Sequence, residues 1–291
     1  MSNENNDSTF QRLDYLDSVR GIAAMMVVVY HFIGWRWPDY TKYHVASMAF
    51  NGADAVSFFF VLSGFVLSYK YFRSDRDIKM GNYIYRRVLR LYPAFIFTVL
   101  INYLYWNRAS LMAGDYLPIL KDALWHNGQQ LWQELAMVRL THKFYIPGWT
   151  LGVEMALSLL VPLMVYAARQ NIKMIWWLIP IQIDMFHYTG IASALILLYI
   201  INSEKAQKFL TNGLWLFLGK ISYSVYLAHW MMVVYVMENW DQLMAYFSNY
   251  YVGFGVLLVA VILSTVLLAT FMYYCIEKPF INLARKYQLF T

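Results

Sequence analysis

Seven apolar runs, most of them long enough to cross a bilayer, constrain this chain more than any other feature of its sequence. They cover about Val19–Trp37, Ala53–Tyr71, Leu89–Trp106, Leu151–Ala168, Ile172–Ile201, Leu214–Met237 and Val252–Ile276. A helix needs about 20 apolar residues to span hydrocarbon. In lipid, only a helix or a closed barrel satisfies every backbone N–H and C=O. The expected fold is all-α: a polytopic transmembrane helical bundle. Composition agrees, with 60% hydrophobic and only 14% charged residues, against about 25% charged in soluble domains. The 25 Tyr and 11 Trp suit interfacial aromatic belts. The net charge of +6 is not a nucleic-acid footprint, because its basic residues cluster in loops that orient the chain.

Charge predicts the topology. Lys70, Arg73, Arg76, Lys79, Arg86, Arg87 and Arg90 stand between the second and third runs, against only Asp75 and Asp77. That loop is expected to be cytoplasmic, which makes the N-terminus cytoplasmic too. Lys278, Arg285 and Lys286 put the C-terminus on the same side, and the loop near Glu238 and Asp241 on the other. Two cytoplasmic ends require an even number of crossings, so Ile172–Ile201 must cross twice, bending near Pro180 and the polar Gln182, Asp184 and His187. Eight crossings are expected, with seven as the alternative. The chain reads as a polar tail (1–15), a membrane core (16–280) and a second tail (281–291). The first run, preceded by Glu4 and Asp7 and lacking a basic flank, reads as a retained span rather than a signal peptide. Between Asn107 and Gly148, Trp125, His126, Gln129, Trp132 and Glu134 suggest amphipathic helices lying on the surface.

Within the first run, Arg20 and His31 are eleven residues apart. Eleven steps of 100° are about three turns, so both lie near one helix face, separated by roughly 16 Å along the axis. Intramembrane ionisable residues are functional-site candidates by default. Burial disfavours a charged imidazole, so His31 reads as a neutral base. Asp17 stands i,i+3 to Arg20 and can pair with it. In the second run Ser57, Gly64 and Ser68 form a stripe of small residues, read as packing rather than chemistry. Arg87 and Arg90, one turn apart, offer guanidinium forks to phosphate, or simply mark a cytoplasmic helix end. Glu154 enters a span just after Trp149, where it can orient a histidine, bind a sugar hydroxyl or meet the helix dipole. Ser222, Tyr226 and His229 share a face, as if lining a cavity. Glu277-Lys-Pro279 reads as a helix stop. Cys275, the single cysteine, excludes an internal disulfide. No zinc-type metal motif, P-loop, dinucleotide fingerprint or nucleophile elbow is present.

Taken in order, these segments resemble the membrane-bound acyltransferase-3 family. The resemblance is carried by Leu16-Asp17-Ser-Val-Arg20-Gly21, Tyr30-His31, Phe59-Phe60-Val-Leu-Ser63-Gly64-Phe65 and Arg87-x-x-Arg90 with Tyr92-Pro93. It continues through Trp149-Thr-Leu-Gly-Val-Glu154, Ile221-Ser222-Tyr223-Ser-Val-Tyr226-Leu-Ala-His229 and Glu277-Lys-Pro279. It implies acyl transfer from cytosolic acyl-CoA, often acetyl-CoA, to a hydroxyl of a cell-envelope or secreted glycan. His31 would be catalytic, and Arg20, Arg87 and Arg90 would hold the donor phosphates. Asp17, Ser63, Trp149, Glu154, Ser222, Tyr223, Tyr226 and His229 would support them or face the acceptor. Acyl-CoA is then a co-substrate, with no resident cofactor or metal. The partners are the bilayer, acyl-CoA and a glycan or glycolipid, with no nucleic acid, and the location is the bacterial inner membrane. The chain departs from the family between Glu154 and Ser222, where the usual ten-span core is shortened. Two other readings compete. A transporter or flippase for a glycolipid or anionic solute would move solute without consuming acyl-CoA. An inactive scaffold would not bind acyl-CoA.

Overall fold

The computed structural model describes residues 13–39, 51–72, 79–126, 128–137, 144–170 and 187–287. Among these residues all regular structure is helical. The long helices α1 (Asp14–Arg36), α2 (Gly52–Phe72) and α3 (Met80–Trp106) come first. Short elements follow: α4 (Arg108–Met112), α5 (Leu117–Lys121), a π-helical turn (Asp122–His126) and α6 (Gly128–Leu135). Then come α7 (Gly148–Gln170), α8 (His187–Asn202), α9 (Glu204–Leu210), α10 (Gly213–Glu238) and α11 (Trp240–Met244). α12 (Tyr250–Met272) runs through a second π-helical turn (Tyr273–Glu277) into α13 (Lys278–Lys286). Five of these helical stretches are long and apolar enough to cross a membrane, at Asp14–Arg36, Gly52–Tyr69, Met80–Trp106, Gly148–Tyr166 and Tyr250–Lys286. The protein is a helical membrane bundle.

Asparagine and serine side chains start the helices of the C-terminal half. Ser203 accepts from Ala206 N–H, Asn212 from Leu214 N–H, and Asn249 from the N–H groups of Tyr251 and Val252. Each satisfies first-turn donors that the helix itself leaves unpaired. These caps let α8, α9 and α10 follow one another with hardly a linker.

α10 is the buried axis of the bundle, packed along α1 on one side and α12 on another. It carries Ser222, Ser224, Tyr226 and His229 inward because protein rather than lipid surrounds them. Two glycines set its distance from α1. A Cβ on Gly21 would lie 2.6 Å from Gly219 N, and a Cβ on Gly219 would fall on the Asp17 carbonyl. The two backbones therefore touch, as small residues permit. Ten residues further along both helices, His31 meets His229. α1 and α10 thus run parallel and in step.

Pro162 inside α7 has no N–H to give the carbonyl of Ser158, four residues earlier. The Tyr83 hydroxyl on α3 donates to that carbonyl instead, at 2.6 Å. A helix break in the bilayer becomes a tie between α3 and α7.

Several expectations are modified. α3 begins at Met80, not near Leu89, because Asn82, Tyr83 and Arg87 are buried against other helices rather than held in a loop. The Glu277-Lys-Pro279 segment does not end the last helix. Pro279 follows the π-helical turn Tyr273–Glu277, and the helix continues past it as α13. Gly64 is not a close-packing point, since a Cβ there would meet nothing within 4 Å. Ser57 instead accepts from Thr189 of α8 at 3.1 Å, and Ser68 bonds back to the Gly64 carbonyl. The choice between seven and eight crossings, with Pro180, Gln182 and Asp184, falls on residues 171–186, outside the described residues. So do the polar N-terminal tail up to residue 12, the loop at 73–78 and the last four residues.

The glycine contact gives a direct test. Gly219→Ala should destabilise the bundle by about 1–3 kcal/mol through overpacking, read as a lower melting temperature in detergent. Gly64→Ala, facing open space, should be neutral within about 0.5 kcal/mol.

Candidate active site

α1, α2, α3, α7 and α10 converge on a cavity enclosing about 580 Å³ of empty space, part of it open to solvent. Arg20, Arg87 and Arg90 line it, together with Glu154, Ser63, Ser222, Tyr223 and Tyr226. Thr150 and the apolar Val56, Phe59, Phe60, Leu91 and Leu151 complete the wall. Three guanidinium groups thus meet a single carboxylate in the lining.

Arg87 and Arg90 reach the cavity from one face of α3 because they stand i,i+3. Arg20 reaches it from α1, where its Nη1 lies 3.3 Å from Asp17 Oδ1. Arg87 is only 5% exposed. Its Nη2 lies 3.3 Å from Glu154 Oε1, and its Nε has no hydrogen-bond partner. The same Glu154 oxygen accepts from Ser63 Oγ at 3.3 Å. Arg90 makes no ion pair with a carboxylate among the described residues. Below this layer, buried Glu277 accepts from Ser224 Oγ at 2.9 Å and lies within electrostatic range of Arg90 and Arg20. An isolated buried cation is costly, so a group of three with few counter-charges favours an anionic ligand.

The aromatic wall is pinned by hydroxyls. Tyr223 donates to the Leu91 carbonyl at 2.7 Å. The Tyr226 hydroxyl is 2.6 Å from Thr150 Oγ1. Behind Tyr226 lies His229, with no exposed surface. Its Nδ1 stands 2.6 Å from the Tyr226 carbonyl. A carbonyl only accepts, so Nδ1 carries the proton and Nε2 is left with its lone pair. That Nε2 has no partner. The His229 ring stacks on His31 at 5.3 Å between centroids, and Trp230 meets His31 edge-on at 5.3 Å.

The structure therefore brings Arg20, Ser63, Arg87, Arg90, Glu154, Ser222, Tyr223 and Tyr226 into one cavity. Asp17 stands behind Arg20. His31 and His229 form a pair on the far side of Tyr226, outside the cavity lining. Trp149 is half-buried at the start of α7. Glu154, read from sequence as able to orient a histidine, bind a sugar hydroxyl or meet the helix dipole, holds Arg87 and Ser63.

Sequence reasoning missed two carboxylates. Glu277, read as part of a helix stop, faces the arginines. Glu134, read as part of a polar surface face, has no exposed surface at all. Its oxygens accept from Phe144 N–H at 3.1 and 3.3 Å and from Tyr145 N–H at 3.3 Å. This fixes the segment entering α7. Burial holds the Tyr145 hydroxyl well above the usual phenol range, so it remains a donor, bonded to the Tyr226 carbonyl at 2.8 Å. The Pro147 carbonyl accepts from Thr150 Oγ1 at 2.8 Å. No local pattern marks a carboxylate that will cap N–H groups ten residues away. The side chains of Trp125 and His126 lie outside the described residues. Replacing Glu134 by Ala should cost about 3 kcal/mol, because it orphans buried N–H groups. Glu134→Gln, which keeps one acceptor oxygen, should cost clearly less in the same melting experiment.

Comparisons with known proteins agree with this arrangement. Residues 13–181, more than half the chain, match the family model for the acyltransferase domain of the acyltransferase-3 family. An O-acetyltransferase of Phomopsis amygdali, PaAT-1, is 31% identical over 149 residues, which is 42% of this chain and 30% of the relative. The acyltransferase MdmB of Streptomyces mycarofaciens is 28% identical over 220 residues, 70% of this chain and 52% of that protein. Protein 2 in the picA locus of Rhizobium radiobacter is 28% identical over 155 residues, 52% of this chain and 74% of the relative. The match thus spans about half or less of the length of the two acyltransferases. No solved structure matches. With the match running from the start of α1 past the end of α7, this chain belongs to the acyltransferase-3 family.

Proposed function

We propose that this protein is an integral membrane O-acyltransferase that moves an acyl group, acetyl in the first instance, from acyl-CoA to a hydroxyl of a cell-envelope or exported glycan. The observation that carries the donor side is the cavity with Arg20, Arg87 and Arg90 in its wall. Guanidinium forks match phosphate oxygens in geometry and charge, and CoA is rich in phosphate. The name of the Phomopsis relative, an O-acetyltransferase, supports both the acetyl group and the oxygen acceptor. The basic loop before α3 supports a donor site open to the cytoplasm, with both termini on that side of a bacterial inner membrane.

In this reading an extended thioester arm runs from the arginines past Tyr226 toward His31, roughly 16 Å further along α1. His31 takes the proton of the acceptor hydroxyl. The hydroxyl oxygen bonds to the thioester carbonyl carbon, the carbon–sulfur bond breaks, and the leaving thiolate takes up the proton from the imidazolium. Asp17 holds Arg20, and His229 packs the His31 ring in place.

General-base catalysis contributes about 10²–10⁴-fold. His31→Ala should therefore lower acetyl transfer in proteoliposomes by at least about 100-fold while leaving CoA affinity within about twofold. Arg87→Ala should weaken CoA binding by about tenfold or more, as loss of a charge-assisted bond. Full transfer by a properly inserted His31→Ala protein would refute the base assignment. Unchanged CoA binding in Arg87→Ala would refute the donor site.

A further inference from the structure

The contact between Arg87 and Glu154 is loose for a buried ion pair. Its N–O distance is 3.3 Å, whereas charge-assisted bonds settle near 2.7–2.9 Å. The bond from Ser63 to the same oxygen is also 3.3 Å. Only one fork atom of Arg87 is engaged, and Nε, fully buried, is unpartnered. The guanidinium is thus held by one long contact, with donor capacity to spare. Glu154 itself is half-buried and lines the cavity, in the space a phosphate engaging Arg87 needs.

We infer that Glu154 is the resident counter-ion of the cavity, and that a phosphate of the donor displaces it from Arg87. This rests on the reading of the arginine cavity as the donor site. In the empty cavity Glu154 spares the bundle an unpaired buried cation, which is the costly state. A phosphate offers Arg87 two oxygens in fork geometry, so Nε and an Nη bond together, and Glu154 is left with Ser63. Two anions cannot share one guanidinium without mutual repulsion, so the carboxylate competes with the donor. Glu154 is a positioning residue that lowers donor affinity, and with it the retention of spent CoA, while keeping Arg87 in place between turnovers.

The test is CoA binding by titration calorimetry on the full chain in detergent, with pyrophosphate as a second probe that lacks the thiol arm. Removing the competing charge in Glu154→Gln should tighten both ligands roughly fivefold, the worth of a weak ion pair of about 1 kcal/mol. In an Arg87→Ala background the same change should have no effect, because the competition acts through Arg87. If Glu154→Gln fails to insert, Glu154→Asp serves: one methylene shorter, it withdraws the carboxylate and should also tighten binding. Weaker or unchanged binding in these variants, with Arg87→Ala still weakening CoA, overturns the counter-ion role alone. Arg87→Ala binding CoA as tightly as the unchanged chain overturns the donor site beneath it. Equal tightening by Glu154→Gln with and without Arg87 means general repulsion, and also overturns the exchange.

Discussion

The backbone contact between α1 and α10 at Gly21 and Gly219 is the constraint on which the rest depends. In a bilayer the hydrophobic effect does not drive helices together, so close approach and polar contacts must. Here a Cβ on either glycine would strike the opposite backbone. The crossing fixes both the distance and the axial register of two parallel helices. From that register follow the placing of Arg20 and Ser222 in one cavity wall and the meeting of His31 with His229. α2, α3 and α7 then close around the pair, and the cavity is the space they leave.

The cavity concentrates charge in a place where charge is costly. Arg20 is offset by Asp17 and Arg87 by Glu154, with Glu277 lying further back. Arg90 has no ion-pair partner among the described residues. The walls are stabilised by neutral bonds that leave these charges alone: Tyr223 to Leu91, Tyr226 to Thr150, Tyr83 to the carbonyl that Pro162 cannot satisfy. A lining pinned by these bonds, with a surplus of guanidinium groups, is pre-organised for an anion. The histidines sit apart from it, behind Tyr226, in a layer of aromatic rings.

The bundle was legible in the sequence because lipid forces backbone into helices, and five of the seven apolar runs became helices long and apolar enough to cross a membrane. The start of α3 was not, since the hydropathy signal fades where Arg87 and Arg90 turn inward to a cavity rather than outward to water. The cavity arginines were legible as charges at span ends. The partner of Glu154 was not, because which helix faces it depends on rotations set by the glycine crossing. His229 reads as a neighbour of His31 only once Gly21 and Gly219 are known to touch. Glu134 was illegible for another reason: its partners, Phe144 and Tyr145, stand ten and eleven residues away, a separation that no helical periodicity connects.

The most direct measurement is sidedness. Labelled acetyl-CoA, which does not cross membranes, is presented to sealed vesicles of opposite orientation with a glycan-lipid acceptor present. An arginine cavity open to the cytoplasm predicts acetyl transfer in inside-out vesicles and none in right-side-out vesicles. Transfer in right-side-out vesicles, or in both orientations alike, would contradict it.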